Sequence, residues 1–200
     1  SAISRPMPRL APLTIADFSR TEGWITLVIQ NVGLSSGQIC TAVLPGQRFR
    51  DIAGPLGHKS EVAEHKGAVV CVGGGLGVAP VFPIARAHKL AGNRVIGIIG
   101  ARTKQLVIWE DKMRAYCDEV YASTDDGSYG SKGFANSVLE QIIAREKASG
   151  KPVSRVIAIG PAPMMRACSS SVPAEIPVIV SLNTVMVDGT GMCGGCRFTV

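Results

Sequence analysis

A run of closely spaced glycines, Gly73, Gly74, Gly75 and Gly77, directly follows a short apolar stretch of the chain. Glycine allows the main chain to turn sharply and to approach a ligand closely, and Pro80 suits the first turn of a helix. The N-terminus of such a helix offers N–H groups and the positive end of a dipole to a phosphate. Because Pro80 interrupts the spacing, the run is not a Gly-x-Gly-x-x-Gly fingerprint. The residues favour a pyrophosphate-binding loop, with a tight structural turn as the alternative.

Near the carboxyl-terminal end, Asp188, Cys193 and Cys196 have the spacing of three ligands in a plant-type 2Fe–2S site, with aspartate in the first position. A structural zinc site would need two more soft ligands, and none stands at a useful spacing. A thioredoxin-like Cys-x-x-Cys pair should follow a strand and open a helix, whereas this pair stands among glycines. The residues alone leave a 2Fe–2S site, half of a zinc site and a redox pair as the alternatives.

The remaining cysteines and the histidines are scattered. Four cysteines fit no disulfide scaffold, and three of them lie in apolar or helical contexts that are typical of small buried thiols; the four are Cys40, Cys71, Cys117 and Cys168. The histidines share no metal-ligand spacing with one another or with a pair of carboxylates. We therefore expect surface histidines, and no catalytic ones, at His58, His65 and His88.

Strands and helices alternate from about residue 67 onward. Apolar, largely β-branched runs predict strands over residues 68–72, 94–99, 119–122, 156–159 and 177–180. Helices are predicted over residues 83–90, 106–116, 137–146 and 163–169, and the one that contains Trp109, Met113 and Tyr116 should pack against the sheet. This alternation predicts an α/β fold with a doubly wound parallel sheet that is covered on both faces.

Three further loops follow the ends of the predicted strands. They are rich in glycine, proline and small polar residues, and their candidate ligand-binding residues are Arg102, Thr124, Asp125, Asp126, Gly160, Pro161 and Met164. In open parallel sheets, ligands bind beyond the carboxyl ends of the strands. Each loop alone is typical of a plain turn, but the four loops together predict a nucleotide-binding cleft.

The composition excludes several classes of protein. Hydrophobic residues make up 46% of the 200 residues and charged residues 18%, which excludes a disordered chain. The net charge of +6 comes from scattered basic residues without a dense run, so no nucleic-acid partner is expected. No apolar run approaches the roughly 20 residues of a membrane span. The sequence shows no signal peptide, so we expect a cytoplasmic location.

Several motifs resemble the ferredoxin–NADP reductase superfamily. They are Gly-Gly-x-Gly-Val-Ala-Pro at residues 74–80, Gly-Pro-x-x-Met-Met at 160–165 and Gly-Pro-Leu-Gly at 54–57. Within the superfamily, residues 123–130 and 181–196 are similar to the small flavin/NAD subunits of NADH-dependent ferredoxin:NADP oxidoreductases, also termed sulfide dehydrogenases. The electron-transfer subunits of dihydroorotate dehydrogenase form a neighbouring group, which has cysteine where this chain has Asp188. The resemblance covers nearly the whole chain.

This resemblance implies three regions. Residues 1–62 would be the last part of an antiparallel FAD-binding β-barrel, residues 63–181 an NAD(P)-binding α/β domain and residues 182–200 the start of a small 2Fe–2S domain. The first sixty residues offer only two or three predicted strands, including one at residues 24–30, which is too few for an independent sheet. We expect both ends of the sequence to be cut, with a fourth cluster ligand beyond Val200.

The resemblance also implies roles for particular residues. Pro12, Leu13 and Thr14 would lie against the isoalloxazine ring of FAD, and Gly33, Ser35 and Ser36 would hold the FAD pyrophosphate. Asp125 and Asp126 would accept hydrogen bonds from the adenosine ribose, which favours NADH over NADPH, although Arg102 and Lys104 could pair with a 2′-phosphate. Asp188, Cys193 and Cys196 would bind the 2Fe–2S cluster.

The implied function is an electron-transfer flavoprotein subunit. It would oxidise NADH, or NADPH, by hydride transfer to FAD and pass single electrons through the 2Fe–2S cluster, with no side chain acting as an acid or base. Its partners would be a larger iron–sulfur flavoprotein subunit and ferredoxin or a similar carrier. The electron-transfer subunit of dihydroorotate dehydrogenase is one alternative, and a non-catalytic nucleotide-binding regulatory module is the alternative from another class.

Overall fold

The computed structural model describes residues 15–31, 33–49, 51–56, 59–182 and 191–197. The chain divides into two compact units. One unit comprises residues 1–14, 27–59 and 183–200, and the other comprises residues 15–26 and 60–182. The predicted sites at Pro12, Leu13, Thr14 and Asp188 lie outside the described residues. The assignment of three functional regions stays a prediction.

The second unit contains a six-stranded sheet in which all neighbouring strands are parallel. Its strands are β3 (Ala68–Gly74), β4 (Val95–Ala101), β5 (Glu119–Thr124), β6 (Ser131–Lys132), β7 (Val153–Ile159) and β8 (Val178–Val180), in the order β6-β5-β4-β3-β7-β8. The predicted parallel α/β sheet is confirmed. The short edge strand β6 was not predicted, because two polar residues carry no strand pattern.

Helices cover both faces of this sheet. They are α2 (Val78–Leu90), α3 (Glu110–Tyr116), α4 (Ala135–Ala148) and α5 (Ala162–Ser171). One apolar cluster joins the sheet to α4 and α5, and the other joins it to α2 and α3. Helix α2 begins at Val78, five residues before the predicted start, because Pro80 lies in the first turn, where its missing N–H is tolerated.

A two-stranded sheet precedes these elements in the chain. Its strands are β1 (Ile15–Ser19) and β2 (Trp24–Leu27), and β1 packs against α2. The predicted β-rich run extends to Gln30, whereas β2 ends at Leu27. Residues 15–26 thus belong by their contacts to the unit of the parallel sheet.

The first unit contains helix α1 (Leu34–Ala42), where only strands and turns were predicted. The Gly33 N–H donates to Ser36 Oγ at 3.0 Å, and the Ser36 hydroxyl donates to the Gly33 carbonyl at 3.1 Å. Glycine at the N-cap has no side chain that could cap the helix, so the hydroxyl of Ser36, three residues later, stabilises the first turn instead. The prediction missed the helix because glycine and serine are also typical of turns.

The prediction of surface histidines is wrong for His88, which is fully buried near the end of α2. Val81, Ala85 and His88 are separated by four and then three residues, which places all three on the buried face of the helix. Its ring centroid lies 5.7 Å from that of His65. Burial, together with the charges of His65 and Arg155, lowers the pKa of His88, so the folded protein favours the neutral imidazole.

The expected buried thiols are confirmed at Cys71, Cys117 and Cys168, while Cys40 is exposed. Burial raises the pKa of Cys117 to about 12 and that of Cys168 to about 11. These thiols therefore stay protonated and unreactive. Trp109, Met113 and Tyr116 pack against the sheet as predicted. Within the described ranges, no helix combines the length and the apolar character needed to cross a membrane.

Candidate nucleotide and cluster sites

The carboxyl ends of the four inner strands lie in one row. Gly73 on β3 pairs with Ile99 on β4 and with Ile159 on β7, and Ile99 pairs in turn with Ala122 on β5. The loops that follow these strands therefore begin at the same level of the sheet. This register brings the four candidate loops of the sequence to one edge.

The loops after β3 and β7 are in contact because both carry glycine. A β-carbon on Gly160 would lie 3.0 Å from Gly74 Cα, and a β-carbon on Gly74 would overlap the side chain of Met164. A β-carbon on Gly77 would overlap the carbonyl group of Ile159. Glycine is required for this close approach. The two loops thus meet at Gly74, Gly160 and Met164, which we term the cradle.

The other glycines of the loop have different roles. A β-carbon on Gly73 would lie 2.7 Å from Val78 Cα, so this glycine allows α2 to start directly over the end of β3. Gly75 has φ +53 and open space beside it. Its left-handed conformation turns the chain between strand and helix, and the space above it is available to a ligand.

Three helices start at this edge without a side-chain cap. Their N-cap residues are Gly77 for α2, Phe134 for α4 and Pro161 for α5, and none of the three first turns contains an acidic residue. A β-carbon on Gly100 at the end of β4 would lie 3.0 Å from Ala135 Cβ, which places the start of α4 beside the row. Uncapped helix N-termini attract anions through their N–H groups and dipoles. The edge therefore suits a ligand with several phosphate oxygens.

The loop after β5 is held in a fixed shape. Thr124 is fully buried; its Oγ1 donates to the Tyr129 carbonyl at 2.8 Å and accepts from the Tyr129 N–H at 3.0 Å. Asp126 Oδ1 accepts hydrogen bonds from both the N–H and the hydroxyl of Ser128, at 2.9 and 2.6 Å. Thr124 thus shapes the loop from inside, while the carboxylates of Asp125 and Asp126 stay exposed.

These hydrogen bonds also set the charge of the loop. The Ser128 hydroxyl and N–H hold the pKa of Asp126 below its usual range, so the carboxylate is ionised at neutral pH. Ser128 Oγ also accepts the Lys104 N–H at 2.8 Å, which joins this loop to the one after β4. Arg102 is exposed in that neighbouring loop, and Lys104 Nζ lies 5.4 Å from the centre of the Tyr129 ring. Anionic and cationic side chains therefore lie side by side at this end of the cleft.

Two further residues of this edge were missed in the sequence. The ring of Phe134 is 66% exposed. Both of its neighbours are held in place: the Gly133 N–H donates to the Thr124 carbonyl at 2.9 Å, and Ala135 packs beside β4. The hydroxyl of Ser123 is buried without a partner among the described residues. An aromatic residue placed directly after a glycine that follows a loop is a weak signal, so the sequence alone did not single out Phe134.

The predicted FAD-pyrophosphate residues lie at the start of α1. Gly33 is its N-cap residue, and Ser35 and Ser36 are in its first turn. The hydroxyl of Ser36 is engaged with the main chain of Gly33, so this hydroxyl acts first as a helix-starting group. The helix start still offers main-chain N–H groups of the kind that bind phosphate.

The cysteine pair lies in a short turn. Cys193 is exposed and Cys196 half-buried, and the Gly195 N–H lies 3.4 Å from Cys193 Sγ in a hydrogen bond. Gly194 has φ +64, which allows the chain to turn back toward the sulfur. N–H groups directed at cysteine sulfur suit an iron–sulfur ligand. Within the described ranges, no three His, Cys, Asp or Glu side chains form a metal site.

Solved structures with the same arrangement define the class. No family model matches the chain. A ferredoxin reductase from carbazole 1,9a-dioxygenase superposes with a TM-score of 0.63 at 20% identity, over 84% of this chain and 54% of that one. The structure of NADH-dependent reduced ferredoxin-NADP oxidoreductase superposes with a TM-score of 0.82 at 38% identity, over 94% of this chain and 66% of that one. The protein thus has a ferredoxin reductase-like fold.

Relatives in sequence narrow the class. The dihydroorotate dehydrogenase B (NAD(+)) electron transfer subunit of Geobacillus thermodenitrificans is 33% identical over 92% of this chain and 68% of its own length. The homolog of this subunit from Thermotoga maritima is 40% identical over 94% of this chain and 64% of its own length. The chain belongs to the family of these electron transfer subunits, and it spans about two thirds of their length. The resemblance noted in the sequence is thereby confirmed.

Proposed function

We propose that the protein is the NADH-oxidising flavin and iron–sulfur subunit of an electron-transfer complex. It would take a hydride from NADH onto FAD and deliver single electrons through a 2Fe–2S cluster to a larger partner subunit. The observation that carries this proposal is the contact between Gly74 and Gly160 beside the uncapped starts of α2, α4 and α5. This arrangement suits an extended, phosphate-bearing ligand at the carboxyl edge of a parallel sheet.

Residues of the second unit would hold the dinucleotide. The N–H groups of residues 73–77 and of the first turn of α2 would bind the pyrophosphate. Met164 and Pro161 would line the side of the cleft opposite β4. The exposed Phe134 ring offers a flat surface for the adenine, since aromatic side chains stack well on bases.

The loop after β5 favours NADH over NADPH. The carboxylates of Asp125 and Asp126 are positioned to accept from a ribose 2′-hydroxyl and to repel a 2′-phosphate. Arg102 and Lys104 would attract that phosphate. The two carboxylates decide the choice in this proposal, because Ser128 fixes Asp126 in its ionised form.

For the flavin, we propose contacts from Pro12, Leu13 and Thr14 to the ring, and from the start of α1 at Gly33, Ser35 and Ser36 to the pyrophosphate. When bound, FAD supplies two-electron acceptance from the nicotinamide, and a 2Fe–2S cluster supplies one-electron transfer. The protein's part is to bind and orient these groups and to keep water from the reacting atoms. No side chain is assigned as an acid or a base.

For the cluster, we propose Asp188, Cys193 and Cys196 as ligands. The turn with the Gly195 N–H directed at Cys193 Sγ suits this role. If Asp188 is a ligand, replacing it with cysteine should keep the cluster and shift its reduction potential, because the ligand type tunes the potential. A potential that is the same in wild type, Asp188→Cys and Asp188→Asn would assign Asp188 to the turn alone.

The names of the relatives support a partner subunit, since they are electron transfer subunits. We propose a larger iron–sulfur flavoprotein subunit as this partner, and ferredoxin or a similar protein as a carrier. We further propose a cytoplasmic location. The dihydroorotate dehydrogenase complex is a second candidate, favoured by the names of these relatives, and identifying the co-purifying subunit of the native complex decides between the two.

The central experiment is an anaerobic titration of the full-length protein with NADH. We expect a protein coloured by flavin and cluster. Stoichiometric NADH should bleach its flavin absorbance, and the kcat/KM for NADH should be higher than that for NADPH. Gly160→Ala should abolish the bleaching, because the new methyl group would fill the cradle. Gly150→Ala, which changes a glycine in the turn after α4, should react as wild type does. A colourless full-length protein that binds nucleotide would instead indicate the regulatory module.

A further inference from the structure

A lysine at the carboxyl edge of the parallel sheet is held by an aromatic ring. Lys104 begins a short 3₁₀ turn (Lys104–Leu106) in the loop after β4, and Tyr129 lies in the loop after β5. Lys104 Nζ is 5.4 Å from the centre of the Tyr129 ring. At such a distance an ammonium is attracted by the negative face of the ring. We term these two residues the lysine–ring pair.

Tyr129 is fixed through both its main chain and its hydroxyl. Its N–H donates to the buried Thr124 Oγ1 at 3.0 Å, and its carbonyl accepts from the same hydroxyl at 2.8 Å. Its phenol donates to Glu110 Oε1 at 3.1 Å, and this oxygen also accepts from Arg114 Nε at 3.0 Å. The hydrogen bond to Glu110 raises the pKa of Tyr129, so the phenol stays protonated and keeps donating. The ring is therefore a fixed surface, whereas a lysine side chain alone rotates freely.

The main chain of Lys104 is anchored beside a carboxylate of the loop after β5. The Lys104 N–H donates to Ser128 Oγ at 2.8 Å, and the Ser128 hydroxyl donates to Asp126 Oδ1 at 2.6 Å. Two hydrogen bonds thus connect the main chain of Lys104 to the carboxylate that we propose reads the ribose 2′-hydroxyl. The direction of the lysine side chain therefore decides whether its charge acts at that ribose.

A lysine that is free to turn toward the ribose would favour a 2′-phosphate. Its ammonium would donate a charge-assisted hydrogen bond to the phosphate oxygens. A cation–π contact at an exposed site corresponds to a bias of about twofold to fivefold in an equilibrium. Because Lys104 must leave the ring before it can pair with the phosphate, a nucleotide with a 2′-phosphate loses this factor in affinity. A nucleotide with a free 2′-hydroxyl does not use the lysine and loses nothing.

We propose that Tyr129 is a positioning residue for cofactor choice, which holds Lys104 away from a 2′-phosphate and so weakens the binding of NADP⁺ relative to NAD⁺. This inference deepens the proposed function and rests on it. Asp125 and Asp126 repel the phosphate directly, whereas Tyr129 acts only through the lysine. The effect of the ring should therefore disappear when the lysine is removed, which a purely structural role would not do.

The test is calorimetric titration of the full-length protein with NAD⁺ and with NADP⁺, which gives the ratio of the two Kd values. The variants are Tyr129→Leu, Lys104→Gln and the double variant, compared with wild type. Tyr129→Phe is the conservative control, because it keeps the ring and its main-chain bonds to Thr124. Lys132→Gln is the matched control for the lysine, because Lys132 is a second exposed lysine of this edge whose stem lies beside Gly127.

We expect Tyr129→Leu to tighten NADP⁺ binding about twofold to fivefold while the Kd for NAD⁺ stays at its wild-type value. This gain should shrink at about 0.5 M salt, because salt screens the exposed lysine. The gain should be absent in the double variant with Lys104→Gln and present in the double variant with Lys132→Gln. Tyr129→Phe should match wild type.

Three results would overturn the inference. The first is a wild-type ratio of Kd values in Tyr129→Leu. The second is a gain that persists after Lys104→Gln, because the lysine would then not carry the effect. The third is an equal gain in Tyr129→Phe, which would assign the effect to the hydroxyl and not to the ring.

A second variant covers the case in which Tyr129→Leu does not fold. Glu110→Ala leaves the ring in the chain but removes the acceptor of its hydroxyl, so it should tighten NADP⁺ binding by about twofold through Lys104. An unchanged ratio in Glu110→Ala would then refute the role of the lysine–ring pair. If wild type binds neither nucleotide, the proposed function fails. If wild type binds NAD⁺ and Tyr129→Leu keeps the wild-type ratio, only the role of Tyr129 fails.

Discussion

Replacing Gly74 with alanine should close the nucleotide cleft while leaving the fold intact. The new methyl group would overlap the Met164 side chain and lie 3.1 Å from Pro161 Cδ. Met164 is a flexible side chain at the start of α5, so it can rotate away from the methyl group. The residues beneath the cradle belong to largely buried strands, so we expect Met164 to rotate toward the predicted cleft.

The expected magnitudes follow from this geometry. Overpacking a tightly packed site costs typically 1–3 kcal/mol, and a mobile thioether keeps the cost in unfolding free energy near 1 kcal/mol. The displaced Met164 would occupy space that the dinucleotide needs. A loss of about 1.4–2.8 kcal/mol in binding, which is tenfold to hundredfold in the Kd for NADH, is the expected result.

The assay is a fluorescence titration with NADH beside urea unfolding, for Gly74→Ala, Met164→Ala and the double variant. The double variant should bind NADH as Met164→Ala does, because the overlap is gone, giving a coupling of at least 1 kcal/mol. Gly150→Ala, where φ is +71 and nothing lies within 4 Å, should lose stability without losing affinity. Wild-type affinity in Gly74→Ala would show that the cradle is not the binding site.

Three other outcomes are expected. Phe134→Ala should raise the Kd for NADH about tenfold, in line with about 1–3 kcal/mol for a base stacked on an aromatic ring, with unchanged unfolding free energy; unchanged affinity would remove the ring from the site. Asp126→Asn should raise kcat/KM for NADPH relative to NADH about tenfold, measured in steady state, and an unaltered ratio would contradict the charge argument. The lowered pKa of His88 means that the unfolded chain takes up a proton below about pH 6.5 that the folded chain does not. The free energy of unfolding should therefore fall as the pH drops below that value, by at most about 1.4 kcal/mol per pH unit. Urea unfolding at several pH values should show this slope in wild type and not in His88→Gln.

The parallel sheet could be predicted because its inner strands are continuous apolar runs. Residues 68–74 have no polar side chain, and a run of this kind between two helices is typical of a buried parallel strand. Helix α1 could not be predicted, because its start depends on one hydroxyl, that of Ser36, folding back on Gly33. The burial of His88 also needed the structure, although its spacing with Val81 and Ala85 was visible in the sequence.

The cleft was predictable as a set of loops but not as a shape. Gly74 and Gly160 are 86 residues apart in the sequence, and nothing local indicates that their main chains touch. The role of the Thr124 hydroxyl in shaping its loop, through hydrogen bonds with Tyr129, was likewise not visible in the sequence, and its predicted contact with a ligand stays a prediction. The ion pairs of Asp17 with Arg86 and Lys112 join residues up to 95 positions apart and had no signal in the sequence.

The complete burial of β3 has a consequence for how the cleft binds. All seven residues of this central strand are buried, and it pairs with a strand on either side. Local opening begins in short or exposed elements, such as the two-residue β6 at the edge of the sheet. The glycine loop at residues 73–77 is therefore attached to β3, the strand that should exchange its amide hydrogens last. A dinucleotide then meets a surface that is already ordered, so its binding loses little entropy to the folding of the glycine loop.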